Sequence, residues 1–252
     1  MRYGWIVGVL LVAGCSSPTS PSSTNLTGGI IPGSAAPPAV SAPPVVTPPV
    51  TTPTTTPAPN PLLSDPRFSL SFYRDFALGL YSHRTIYPLT RLTRAPMIFL
   101  NTEDDRGAAI GAATLTTVID AFVAVAGMWS GQRFGLAGVE RGIGSKEYQS
   151  GWLTVKFSAD TTGRLCGTSN TGQDGGVITF YYRQRCGCGA SAISPAVAKH
   201  ELGHAFGYFH TSNRDDVMTG NSLTQCDMTP SAQEQFHAQI AYSQPLGSLD
   251  PR

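Results

Sequence analysis

The chain has 252 residues, with 17 basic and 16 acidic side chains and a formal net charge of +1. After Arg2 no Lys, Arg, Asp or Glu occurs before Asp65, so the charged residues belong to the later part, and no basic block suited to tracking phosphates exists. These features exclude one uniform globule and exclude nucleic acid as a partner, while the stretch from about Leu63 to Arg252 is long enough for one domain with a sizeable core.

In chain order, Arg2 followed by the apolar run Trp5 to Ala13 reads as an export signal, too short for a spanning helix of roughly 20 residues. Val12-Ala13-Gly14-Cys15, directly after that run, resembles the lipobox of bacterial lipoproteins and implies a lipid anchor on Cys15. The alternative is an ordinary signal peptide with Cys15 incidental. From Ser16 to about Pro61 the sequence is Pro, Thr, Ser, Ala and Val without charge, a composition that favours extended polyproline and buries no core. At about 3.1 Å per residue it serves as a stalk on the order of 100 Å long. The expected organisation is therefore signal 1–14, stalk 15–62 and folded domain 63–252.

Within the domain, Met97-Ile98-Phe99-Leu100 suits a buried strand. Thr114 to Trp129 has helical apolar spacing at Leu115, Val118, Ile119, Phe122, Val123 and Val125, with Gly131 at its end. Phe134 to Val139 predicts a weaker strand, and Leu153, Val155 and Phe157 alternate with polar residues as in a half-buried strand. Val177 to Tyr182 is a further strand, rich in β-branched and aromatic residues. Ser194-Pro195 marks a helix start, and Thr229-Pro230 repeats that signal before a last helix over about Ser231 to Tyr242. Outside the cytoplasm Cys166, Cys186, Cys188 and Cys226 can oxidise. Cys186 and Cys188 lie too close for an easy mutual bridge, so two disulfides pairing each with Cys166 or Cys226, in either order, are expected.

His200-Glu201-Leu202-Gly203-His204-Ala205-Phe206-Gly207-Tyr208-Phe209-His210 carries the chemistry. Residues four apart share a helix face, so His200 and His204 can aim at one ion, with Glu201 rotated by about 100° beside it. On a continuing helix His210 would sit about 15 Å further along the axis than His200. It reaches the ion only if the chain turns back, and Gly207 accepts the left-handed conformation for that. Three imidazoles leave a fourth tetrahedral position for water, the arrangement of a catalytic zinc site.

These eleven residues match H-E-x-x-H-x-x-G-x-x-H, and the chain resembles the metzincin metallopeptidases. The resemblance implies an α+β domain with a mixed twisted sheet, an active-site helix and a C-terminal helix. It implies a zinc endopeptidase acting on extracellular or envelope proteins, in which a zinc-bound water attacks the peptide carbonyl. Glu201 is then general base and acid, His200, His204 and His210 are the metal ligands, and Met218 packs beneath them in a turn. Astacin-like and serralysin-like members carry a tyrosine two residues after that methionine, where this chain has Gly220, so it looks more like matrixins or adamalysins. Thr211 departs from the aspartate or serine of those groups, which leaves the subfamily open. The strand before the metal helix, Val177 to Tyr182, is expected either as the sheet edge that pairs with substrate or as an ordinary core strand. Without turnover, the same fold would be a tethered zinc-binding module; with Asp215 or another group as fourth ligand, the zinc would be structural.

His83 and His237 are read without a metal role, and Tyr208 as packing. Glu103, Asp104 and Asp105 are read as a solvated loop, with a structural calcium ion as the secondary expectation, and Asp215 and Asp216 follow the same logic. The expected cofactor is one zinc ion. The expected partners are protein or peptide substrates and a membrane reached through the Cys15 lipid. The chain is expected as a monomer at the outer membrane or cell surface.

Overall fold

The computed structural model describes residues 60–163, 165–184, 193–221, 223 and 225–252. The chain divides into two units, Met1–Thr54 and Thr55–Arg252, and all described residues belong to the second. The signal segment, Cys15 and the stalk to residue 59 lie outside them.

A 3-10 turn at Pro61–Ser64, capped by Asn60, leads to α1 (Leu70–Leu78). The Ser69 side chain accepts from Phe72 N–H to start this helix, and Gly79, at φ 75°, ends it and hands the chain to the short α2 (Leu80–His83). Tyr73, Phe76, Ala77 and Leu78 are buried, the i, i+3, i+4 face of an amphipathic helix.

Five strands follow: β1 (Met97–Asp104), β2 (Gly138–Gly142), β3 (Trp152–Phe157), β4 (Gly167–Ser169) and β5 (Gly176–Phe180). They form one mixed sheet in the order β2-β1-β3-β5-β4. All neighbours are parallel except β4, which runs antiparallel to β5. Ile98 and Leu100, Leu153, Val155 and Phe157, and Ile178 and Phe180 are buried on one face. That face belongs to the core shared with α3 (Ala112–Trp129) and α4 (Pro195–Phe206), which pack on one another. α3 is long and apolar enough by composition to cross a membrane. Here its Leu115, Val118, Phe122, Val125 and Trp129 stripe is core. On the opposite sheet face, Lys146 N–H donates to Thr154 Oγ1 at 3.0 Å and the Lys146 ammonium sits 4.8 Å from the centre of the Trp152 ring. α5 (Ala232–Ser243) closes the fold.

Two expectations are corrected and one alternative is decided. The weak strand of Phe134 to Val139 lies instead at β2, because Phe134 is drawn into the turn after α3, where its N–H donates to Ser130 Oγ. The last helix is capped by Ser231, not Thr229. Ser231 Oγ accepts from Glu234 N–H while Glu234 accepts from Ser231 N–H, a reciprocal box. Of the two readings of Val177 to Tyr182, the core strand holds: β5 pairs on both sides, with β3 and with β4, and β4 is the edge next to it.

Candidate metal centre

Ser194 accepts from Val197 N–H, Pro195 occupies the first turn, and α4 runs through His200 and His204 to Phe206. Gly207, at φ 114°, stops it. Its N–H donates to the carbonyls of Gly203 and His204, and a Cβ at this position would run into the Thr90 carbonyl. The conformation and the close approach both require glycine. Phe209 N–H then donates to Phe76 O at 2.7 Å, which steers His210 back toward the helix.

The three imidazoles converge. His210 Nε2 lies 3.2 Å from His200 Nε2 and 3.1 Å from His204 Nε2. The other ring nitrogens are held: His200 Nδ1–H donates to Val217 O and His204 Nδ1–H to Tyr208 O, each at 2.6 Å. Both rings therefore point an Nε2 lone pair inward, and a single proton on His210 Nε2 could serve only one of them. A shared cation serves all three. Two nitrogens at zinc distance on a tetrahedral ion stand about 3.3 Å apart, close to what is observed. Among the described residues this is the one cluster of His, Cys, Asp or Glu placed to hold a metal. Burial pulls all three imidazoles below the ordinary value, His210 to about 4, so they are neutral donors at physiological pH.

Glu201 is buried, its Oε2 has no hydrogen-bond partner among the described residues, and burial raises its carboxyl to about 8. It is outside the ligand cluster and lies against β4. A Cβ on Gly167 would stand 2.6 Å from both Glu201 Cγ and Oε1. The edge strand is therefore glycine where the carboxyl rests, a requirement that the sequence pattern did not reveal.

Met218 is fully buried, and its Sδ fills the space beside Gly203, the residue before His204. The turn that carries it doubles back on the segment after His210: Thr211 N–H donates to Met218 O and Gly220 N–H to Thr211 O. Glu234 of α5 holds this turn from below, accepting from Met218 N–H at 2.8 Å and Val217 N–H at 3.2 Å. In the sequence only the S-x-x-E spacing from Ser231 marks Glu234.

Asp216 is not solvated as expected. It is buried and accepts from Thr211 Oγ1, Asn213 Nδ2 and Ser231 Oγ. Asp215 is exposed and outside the histidine cluster, so it supplies no fourth ligand. Asp104 accepts from Arg106 N–H, Ala108 N–H and Tyr182 OH, and Asp105 from Ser158 OH and Ala159 N–H. Glu103 and Asp104 end β1 rather than lying in a solvated loop, Asp104 is buried, and among the described residues the three gather no cation site. His237 is a core residue that accepts from Ser69 N–H. Tyr208 is packed against Phe76, ring centres 4.1 Å apart, and its hydroxyl donates to Trp129 O. Cys166 takes part in a disulfide. Cys186 and Cys188 lie outside the described residues, and so does the expected pairing.

No protein-family model and no curated protein matches the chain. Among solved structures, metalloproteinase-II from Bacteroides fragilis aligns at 15% identity with a TM-score of 0.39, over 62% of this chain and 55% of that one. The chain thus spans about half the length of that protein.

Proposed function

We propose that the chain is a zinc-dependent endopeptidase of the metzincin type that hydrolyses extracellular or envelope proteins. The observation that carries this reading is the convergence of three imidazole nitrogens near a buried carboxyl whose Oε2 is unshared, on the helix that carries two of the three. In a three-histidine set, zinc supplies Lewis-acid polarisation of a peptide carbonyl and makes water more acidic. Glu201 accepts the proton of the attacking water and delivers it to the departing amine. β4, the open edge beside Glu201, pairs with extended substrate through main-chain hydrogen bonds. Gly220, in place of a tyrosine after the methionine, favours a matrixin- or adamalysin-like member. The lipobox-like Val12 to Cys15 supports a lipid anchor that presents the domain on a stalk.

The test compares the full chain with Glu201→Ala for hydrolysis of an unfolded protein and for bound zinc. Cleavage by the wild type, lost in the variant with zinc retained, is the expected result. Zinc bound by both forms without cleavage by either would favour a silent binding module. A folded wild type that binds no zinc would sink the metal-site assignment.

A further inference from the structure

α2 reaches the metal centre from a part of the chain that precedes the stretch resembling the metzincins. The turn at Gly79 packs on Phe209, the residue before the third ligand: a Cβ on Gly79 would stand 3.0 Å from the Phe209 ring. His83 meets Phe209 edge-on with ring centres 5.5 Å apart, and Tyr87 stacks on Phe209 at 6.0 Å. This aromatic clamp fixes α2 beside His210.

Tyr81 extends from α2 toward the same ligand. The point where a Cβ on Gly220 would stand is 2.9 Å from Tyr81 Cε1 and 3.3 Å from His210 Cβ, so the ring rests where glycine leaves room. Yet Tyr81 is 43% exposed, and its hydroxyl makes no hydrogen bond among the described residues. It differs in this from Tyr208, whose hydroxyl is committed to the Trp129 carbonyl, and from Tyr73, which is fully buried. An exposed aromatic ring seated this close to the Cβ of a metal ligand is open to the side chain of a peptide bound at the centre. An extended peptide advances about 3.3 Å per residue, so side chains one or two residues from the cleaved bond pass over it.

We propose that Tyr81 is a specificity-determining residue of the cleft, its ring receiving a substrate side chain beside His210 and favouring aromatic and large aliphatic ones. The inference rests on the peptidase reading above. The ring offers apolar area and a π face, and such pairings are worth a difference of roughly three- to tenfold in affinity.

The experiment uses the zinc-loaded full chain as wild type, Tyr81→Phe and Tyr81→Ala, each digesting a mixed peptide library whose cleavage sites are sequenced. Tyr81→Ala is expected to lose the preference for aromatic and large aliphatic side chains at one position within two residues of the cut. For preferred peptides its kcat/KM falls roughly three- to tenfold, carried by KM, while kcat and zinc affinity hold. Tyr81→Phe keeps the preference, because the ring is what recognises. Wild-type preference in Tyr81→Ala overturns the proposal, as does an equal fall for every peptide. Binding is also read without turnover, by calorimetric titration of an aromatic peptide and its glycine counterpart into zinc-loaded Glu201→Ala with and without Tyr81→Ala. Absence of cleavage by the wild type counts against the peptidase reading. In the titration, selective weakening of the aromatic peptide supports Tyr81, and unchanged selectivity overturns it.

Discussion

Gly203→Ala probes the packing beneath the metal centre. In an exposed helix the change would add about 0.5–1 kcal/mol of stability, because alanine loses less chain entropy on folding than glycine. At this position the new methyl would run into Met218 Sδ and stand 3.2 Å from Trp129 Cζ2. Neither neighbour has free space, since both are fully buried, and the Trp129 ring is held by its Nε1–H bond to Lys199 O at 3.0 Å. Overpacking of this kind costs about 1–3 kcal/mol, more than the helix gains, so a net loss of roughly 1–2 kcal/mol is expected. Met218 can yield only by shifting the turn whose Val217 carbonyl orients His200. Zinc affinity should therefore fall about tenfold or more, as it does when groups that orient ligands are disturbed. Urea unfolding in chelator reads the first effect, and zinc competition with an indicator reads the second. A Gly203→Ala protein at least as stable as wild type, with unchanged zinc affinity, would refute the claim that the thioether fills this space.

Three further outcomes are expected. Gly167→Ala should retain zinc but hydrolyse on the order of 10²-fold more slowly, because the new Cβ displaces the Glu201 carboxyl; a wild-type kcat would contradict this. Burial, then the Asp216 charge, raises the Glu234 carboxyl from 4.5 to about 7 against three backbone N–H donors. A carboxyl raised in the fold contributes stability that is complete below 4.5 and lost as pH climbs through about 7. The stability of wild type relative to Glu234→Gln should thus decline between about pH 5 and 8 in thermal unfolding, and a flat or rising difference would count against it. A labelled fatty acid should be incorporated into the wild-type chain and not into Cys15→Ala; equal labelling of both would remove the anchor from Cys15.

What was legible in the sequence follows from how local each determinant is. α3, β3, β5 and α4 carry their apolar spacing and caps within a single element, and they lie where the pattern places them. β4 is Gly-Thr-Ser, three residues with no alternation to read, and only its pairing with β5 makes it a strand. The choice between edge and core for β5 stayed open for the same reason, since edge status is a property of the whole sheet. α1 had a readable start at Ser69 and stop at Gly79 that went unused, and with it went Tyr81 and the clamp on Phe209.

The same division runs through the site. The ligands lie within eleven residues because one helical turn and one glycine reversal suffice to bring them together. The tautomer of His204 is also local, set by a carbonyl four residues on. That of His200 depends on a carbonyl 17 residues away, which Glu234 of another helix holds in place. Asp216 reads as solvated loop in the sequence because a carboxylate shows its burial only once its donors are assembled around it. Gly167 is the extreme case: its reason is the Glu201 carboxyl, contributed by an element that begins 28 residues later in the chain. A short motif therefore brings three imidazoles and a carboxyl into one segment. The groups that aim them, and the ring beside His210 that a substrate would meet, come from segments whose sequences carry no sign of it.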